Sequence, residues 1–334
     1  MSRAAHTEHE TAALKQVVPA EMEAVAIDAF GPPSVLKLHT VPVPRPGSYE
    51  VLIALHTAGV GIWDAKIRAG EWSNDAHFPL ILGTDGAGVI AAVGARIDQF
   101  QVGERVWAYE YENPKGGFYA EYVAVAAENV GPLPQRLSLR EGGTAAVTGL
   151  TALQGIDDHV AVRSGETLLI FGASGAVGTL AVQFAVHRRA RVIAVASGSD
   201  AELLLERFGA ETVVDGRKPG AVERIKEAAP DGLDAILALA GGPVLDACVD
   251  LVVADGRVAY PNGVEPAPKE RAHVRRIRYD AEASTSAFAS LARAVEATRL
   301  VVVIAETDPL GQAARAHARL ERGHVIGRIG LQIR

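Results

Sequence analysis

At 334 residues the chain is long enough for two ordinary domains or one large one, and 49% hydrophobic residues supply ample apolar surface for a globular core. A formal charge of −7 argues against a nucleic-acid-binding domain, which normally carries a basic face. The single cysteine, Cys248, excludes an internal disulfide and any multi-cysteine zinc site.

Met1 to Ala20 is polar and Ala-rich, with Glu8 and Glu10, and lacks the apolar core of a secretion signal; a frayed tail is expected there. No apolar run approaches the ~18 residues of a membrane helix, so no membrane association and a cytoplasmic location are expected. Next come short apolar runs bounded by Gly, Pro and Asp: EAVAIDAF, EVLIALHTAGV, LGTDGAGVIAAVG and VGERVWAY. They read as strands, joined by the extended connector PVPRPGSYE. From about Gly143 the character changes. AAVTGLTALQGI has helical composition, and strand-like and helix-like segments then alternate from ETLLIFG to GRVAYP, with VRRIRY as one further candidate strand. Such alternation indicates right-handed βαβ crossovers and a parallel sheet with helices on both faces. The tail holds an Ala-rich helix, the β-branched run VVVIAE, the helix AARAHARLE and the strand-like GRIGLQIR.

The segment IFGASGAVGTLAVQFA lies where the first strand of that series passes into a helix. Helix N-termini at the carboxyl ends of parallel strands present unpaired N–H groups and a positive dipole end to anions. Gly172 permits the turn, Gly175 the close approach of a pyrophosphate, and Gly178 tight packing of helix on sheet. Ala173 stands at the first glycine position of the usual G-x-G-x-x-G pattern; Ser174, Ala176 and Val177 complete the candidate loop. Ser197 lies nineteen residues after Gly178 (197 − 178), where NAD-specific sites usually place a carboxylate. A hydroxyl there suits a 2′-phosphate, and Arg217 or Lys218 could add positive charge, while Asp200 argues the other way. NADPH is the expected cofactor, with NADH possible.

Six stretches, AFGPPSVLKL, PVPRPGSYEVLIALHTAGVGIWDAKIRAG, FPLILGTDGAGVIAAVG, VGERVWAY, GASGAVG and GHVIGRIGL, resemble the zinc-free quinone oxidoreductase (zeta-crystallin-like) branch of the medium-chain dehydrogenase/reductase superfamily. The resemblance implies an α/β fold: a Rossmann doubly wound parallel sheet at residues 146–280, plus a GroES-like, mainly β substrate domain at 21–145 and 281–334. It also implies an interdomain cleft for NADPH and commonly a homodimer. Zinc-dependent members have a cysteine where this chain has Gly61 and a His-Glu pair where it has Thr84 and Asp85. Asp85 is expected to be structural, bonding amides of the Gly-rich loop. A lysine common among NADPH-using relatives falls at Ala201, and the tyrosine of related enoyl reductases has no counterpart between Lys66 and Trp72.

Without a metal to polarise a simple carbonyl, a conjugated acceptor suits hydride transfer better, the protein supplying position and donors for the developing enolate. The resemblance singles out Lys66 as an oxyanion donor and Thr148 as a residue facing the nicotinamide, against the alternatives of a surface lysine and a helix-start cap. Asn262 and Gly263 lie at the end of a Rossmann strand, near the expected carboxamide, and Arg328 matches a basic position near the cofactor. Tyr260 reads as possible core and Trp63 as packing more than stacking. The expected activity is NADPH-dependent reduction of a quinone or α,β-unsaturated carbonyl, a small-molecule substrate. The alternatives are a non-catalytic NADPH-binding protein (sensor, structural or RNA-associated) and a methyltransferase on a similar sheet.

Overall fold

The computed structural model describes residues 18–72, 77–111 and 113–334; most of the expected N-terminal tail, 1–17, lies outside them. The first part of the chain is β-rich. Strands β1 (Glu21–Ile27), β2 (Lys37–Pro42) and β3 (Glu50–Val60) lead into helix α1 (Ile62–Ala69), followed by β4 (Leu80–Ile81), β5 (Asp85–Val93), β6 (Arg105–Tyr109), β7 (Tyr122–Ala126) and β8 (Val130–Pro132). Helix α2 (Leu139–Gln154) starts earlier than its composition suggested, because Ser138 and Glu141 form a reciprocal capping box at its first turn.

The parallel series runs β9 (Thr167–Phe171), α3 (Ala176–His187), β10 (Arg191–Ala196), α4 (Ser199–Arg207), β11 (Thr212–Asp215), α5 (Ala221–Ala228), β12 (Leu233–Ala238), α6 (Pro243–Val249), β13 (Val252–Pro261) and β14 (Val274–Tyr279). The six strands form one sheet in the order β11-β10-β9-β12-β13-β14, every pair parallel. The order reverses beside β9, so the loop after β9 opens at a topological switch point, where open α/β sheets bind ligands.

The tail forms α7 (Thr285–Thr298), β15 (Ile304–Pro309), α8 (Ala313–Glu321) and β16 (Arg328–Gln332). The strand here begins at Ile304 rather than within the valine run; both backbone polar groups of Val301 are taken by the Gln183 side chain. Strand β16 pairs antiparallel with β3, Ile329 opposite Val60, and joins the seven-stranded sheet β15-β16-β3-β5-β6-β8, with β7 also on β3. One apolar core fills this β unit around Ile53, Leu55, Ile90 and Val106. Another centres on α2 and α3 against the parallel sheet, with Leu150, Phe184 and Ile170 fully enclosed. The chain therefore adopts a Rossmann sheet plus a GroES-like β domain to which both chain ends contribute.

Candidate active site

The glycine loop makes a tight turn and packs closely on the sheet. Gly172 has φ of 87°, a left-handed conformation that suits glycine. A Cβ on Gly178 would come within 2.5 Å of the Gly172 carbonyl and 2.6 Å of Ala173 Cα, so helix and strand touch there. At Gly175 a Cβ would meet only the Gly172 oxygen, at 3.5 Å; the space beyond is open. Gly175 caps α3, whose first turn holds no carboxylate, so nothing opposes an anion at that dipole end. This cradle fits a dinucleotide pyrophosphate, with Ser174, Gly175, Ala176 and Val177 offering partly exposed backbone.

The chain end meets the same loop. Gly327 N–H donates to the Ser174 carbonyl at 2.9 Å, and Gly327 and Gly175 form an isolated bridge. Arg328 turns inward and makes a two-pronged ion pair with Asp85, Nη1 to Oδ2 at 2.8 Å and Nη2 to Oδ1 at 2.6 Å. Asp85 Oδ2 also accepts the Val147 amide of α2 at 3.2 Å. The expectation that Asp85 bonds amides of its own Gly-rich loop is thus corrected: as the first residue of β5 it faces α2 and β16.

Trp63 joins the two positions where zinc-dependent relatives carry ligands. Its indole N–H donates to Thr84 Oγ1 at 2.7 Å, while its ring lies so close over Gly61 that a Cβ there would sit 2.2 Å from the ring. Thr84 accepts the indole, Asp85 is committed to Arg328, and Gly61 has no side chain. These residues do not fit zinc, which prefers imidazole and thiolate ligands. Among the described residues no cluster of His, Cys, Asp or Glu could hold a metal ion.

Beneath α1 runs a buried polar chain that no local pattern announced. The Arg68 guanidinium can only donate, so the 3.0 Å contact of its Nη1 makes His317 Nδ1 an acceptor. His317 then carries its proton on Nε2 and donates to the Tyr119 oxygen at 3.1 Å; Tyr119 donates onward to Asp64 Oδ2 at 3.3 Å. Asp64 Oδ2 also receives the Gly61 amide at 2.8 Å, whereas Oδ1 is buried without a partner among the described residues. Burial, with Asp85 nearby, pushes the Asp64 carboxyl up to about 7 against the lowering effect of the Gly61 amide. Burial and the Arg68 charge press His317 down to about 3.

The remaining candidates occupy distinct places. Lys66 Nζ lies 3.7 Å from Glu71 and 3.5 Å from Glu265, over the Trp72 ring, so it spans from α1 to the loop after β13. Gly263, with φ of 88°, abuts that same ring. Asn262 donates its amide to the Tyr279 carbonyl and its side chain to Asp280. Thr148 is buried in mid-helix and donates to the Thr144 carbonyl at 3.2 Å; the helix-start alternative is therefore wrong, because the cap is Ser138. Tyr260 is core. Cys248 is buried, its thiol pushed up to about 12 by desolvation. Ser197 is partly exposed at the end of β10, and the register of β10 with β11 sets Asp215 beside Ala196, a carboxylate that sequence spacing missed. Arg217 donates to Asp215 through its backbone N–H (3.0 Å) and its side chain.

Comparison with known proteins agrees with this geometry. Residues 47–135 match the family model of the alcohol dehydrogenase GroES-like domain, and 208–330 match a model described as zinc-binding dehydrogenase. Quinone oxidoreductase of Mus musculus is 31% identical over 90% of this chain and 95% of its own length. The chain belongs to the quinone oxidoreductase branch of the medium-chain dehydrogenase/reductase superfamily. It is accordingly an oxidoreductase. Among solved structures, an NAD-dependent alcohol dehydrogenase is 30% identical, with a TM-score of 0.87, over 94% of this chain and all of the other. A mycobacterial protein complexed with NADPH is 26% identical, with a TM-score of 0.84, over 93% of this chain and all of the other. The family resemblance extends past the metal, whose ligand positions this chain fills with Gly61 and Thr84.

Proposed function

We propose that this protein transfers hydride from NADPH to a quinone or α,β-unsaturated carbonyl without zinc, as a homodimer in the cytoplasm. The observation that carries the reading is the joint between the Gly172–Gly178 loop and the start of β16: a dinucleotide cradle from one domain lies against Gly327 of the other. When bound, the nicotinamide supplies the hydride; the residues here bind, orient and shield. Gly172 to Gly178 receive the pyrophosphate on helix N–H groups. Ser197 and Arg217 face the adenosine end, and Asn262 and Gly263 border the nicotinamide end.

The zinc-free assignment rests on Trp63, which occupies the space between Gly61 and Thr84. With no Lewis acid fitted to that place, an acceptor whose charge spreads onto a conjugated oxygen is the chemistry the cleft suits. Lys66 is the donor proposed for that oxygen, and Thr148, bonded to the Thr144 carbonyl, is the α2 residue proposed nearest the nicotinamide. The homodimer is carried over from the family resemblance. No helix among the described residues is long and apolar enough to cross a membrane.

The test is loss of absorbance at 340 nm when protein and NADPH meet a panel of quinones, enals and simple aldehydes. Turnover of quinones or enals but not saturated aldehydes is the expected result. Tight NADPH binding with no acceptor reduced would turn the reading toward a non-catalytic nucleotide-binding protein.

A further inference from the structure

Trp63 is held more firmly than its helix-end position requires. Its N–H is fixed on Thr84 at 2.7 Å, and Gly61 beneath it leaves room for nothing else. The Arg328 guanidinium stands 5.4 Å from the ring centroid, its charge balanced by the two-pronged contact to Asp85. The residue after β3 (Gly61), the residue before β5 (Thr84) and the first residue of β16 (Arg328) thus converge on one indole. The ring is nevertheless only partly buried, and its neighbour Ile62 is 59% exposed at the same helix start. Trp107, by contrast, is fully enclosed. This partly open indole is held on one side and linked to the glycine loop through Arg328 and then the Gly327–Ser174 hydrogen bond, which leaves its other face for a ligand.

From this placement we infer that Trp63 is a specificity-determining residue, the surface on which a flat, electron-poor acceptor ring stacks. The inference rests on the proposed hydride-acceptor reading and narrows it toward cyclic acceptors, quinones before open-chain enals. Indole is electron-rich and a quinone ring electron-poor, so an offset face-to-face arrangement is favourable beyond the apolar area it buries. Because the indole is already immobilised, stacking costs little additional ordering. An open-chain enal presents no ring to the wall and gains little from it. The same ring excludes a metal from the cleft, so the substitution that removes the zinc site also creates the stacking surface.

The experiment has two arms. In the first, the protein with NADP+ is titrated with 1,4-naphthoquinone and tryptophan fluorescence is followed; because the Trp72 ring lies under Lys66 and also senses a bound acceptor, the expected result is a larger loss of quenching in Trp63→Phe than in Trp72→Phe. In the second, kcat/KM is compared for 2-methyl-1,4-naphthoquinone and trans-2-hexenal in wild type, Trp63→Phe and Trp63→Leu. The quinone-to-enal ratio should fall about five- to tenfold in Trp63→Leu, through KM for the quinone, and far less in Trp63→Phe, which keeps a ring. NADPH affinity measured alongside shows that the variants retain a folded cradle. A loss of quenching in Trp63→Phe no greater than in Trp72→Phe, or an unchanged ratio in Trp63→Leu, overturns the inference. Quenching that maps to Trp63 in a protein that reduces no acceptor supports the stacking wall and overturns the proposed reaction instead.

Discussion

Arg328 and Asp85, 243 residues apart, share two hydrogen-bonded contacts in a site where neither is more than 3% exposed. The pair fastens the last strand to β5 and to the Val147 amide, closing the β domain with the end of the chain. A lone buried charge is left if either partner is removed. Asp85→Asn or Arg328→Met should therefore cost about 3–5 kcal/mol. The double variant Asp85→Leu/Arg328→Met should recover much of that loss. Urea denaturation of the four proteins measures it.

Asp64 and His317 flank Tyr119 in one hydrogen-bonded chain and should tilt stability in opposite directions. The Asp64 carboxyl, raised from 3.8 to about 7, binds its proton more tightly folded than unfolded. Its contribution is therefore fully favourable below about pH 4 and is lost as pH climbs through 7. His317, lowered from 6.5 to about 3, is neutral when folded, so stability falls as pH drops from 6.5 toward 3. Asp64→Asn should remove the decline between pH 4 and 7, and His317→Gln should flatten the acid limb. Thermal melts across pH 3–8 check both slopes.

The two later glycines of the loop should respond differently to the same methyl group. Gly178→Ala drives a Cβ into Gly172 and Ala173 backbone and should lower the melting temperature as well as nucleotide affinity. Gly175→Ala meets open space within the protein. It should fold normally yet bind NADPH at least tenfold more weakly, because the methyl occupies the approach of the pyrophosphate. Calorimetry with and without nucleotide separates the two outcomes.

Cofactor preference should turn on the pair Asp215 and Arg217. Removing the guanidinium in Arg217→Ala should weaken NADPH by about tenfold, the size of one charge-assisted contact, and leave NADH unchanged. Asp215→Asn, which removes a carboxylate beside Ser197, should shift preference further toward NADPH. Paired equilibrium titrations of the two nucleotides give the ratio directly.

Lys66→Met should lower kcat/KM for an enone or quinone by about 10²-fold with NADPH affinity preserved, the loss typical of one oxyanion donor. Glu265→Gln frees one side of the ammonium and should make activity less sensitive to salt, since the pair crosses between domains at an exposed carboxylate.

Local order carried the parallel domain. The run from ETLLIFG onward spaces apolar strands and amphipathic helices by turn residues, and each hydrogen bond within a helix joins positions four apart, so spacing alone exposes it. The glycine loop was legible for the same reason: turn, approach and packing all fall within seven residues, Gly172 to Gly178. The absence of thiolate and imidazole at positions 61 and 84 was also written in the residues themselves. The start of α2 was missed by six residues because Ser138 and Glu141, the capping box, precede its apolar stretch.

Tertiary structure decided what those residues do. Asp85 meets Arg328, Arg68 meets His317 across 249 positions, and Asp215 comes beside Ser197 only through the register of β10 with β11. Such contacts depend on how sheets and helices pack in three dimensions, and one-dimensional spacing holds no record of them. Trp63 shows the difference most clearly. Its sequence neighbourhood permits a packing residue, but only the fold brings Gly61, Thr84 and Arg328 together around its ring.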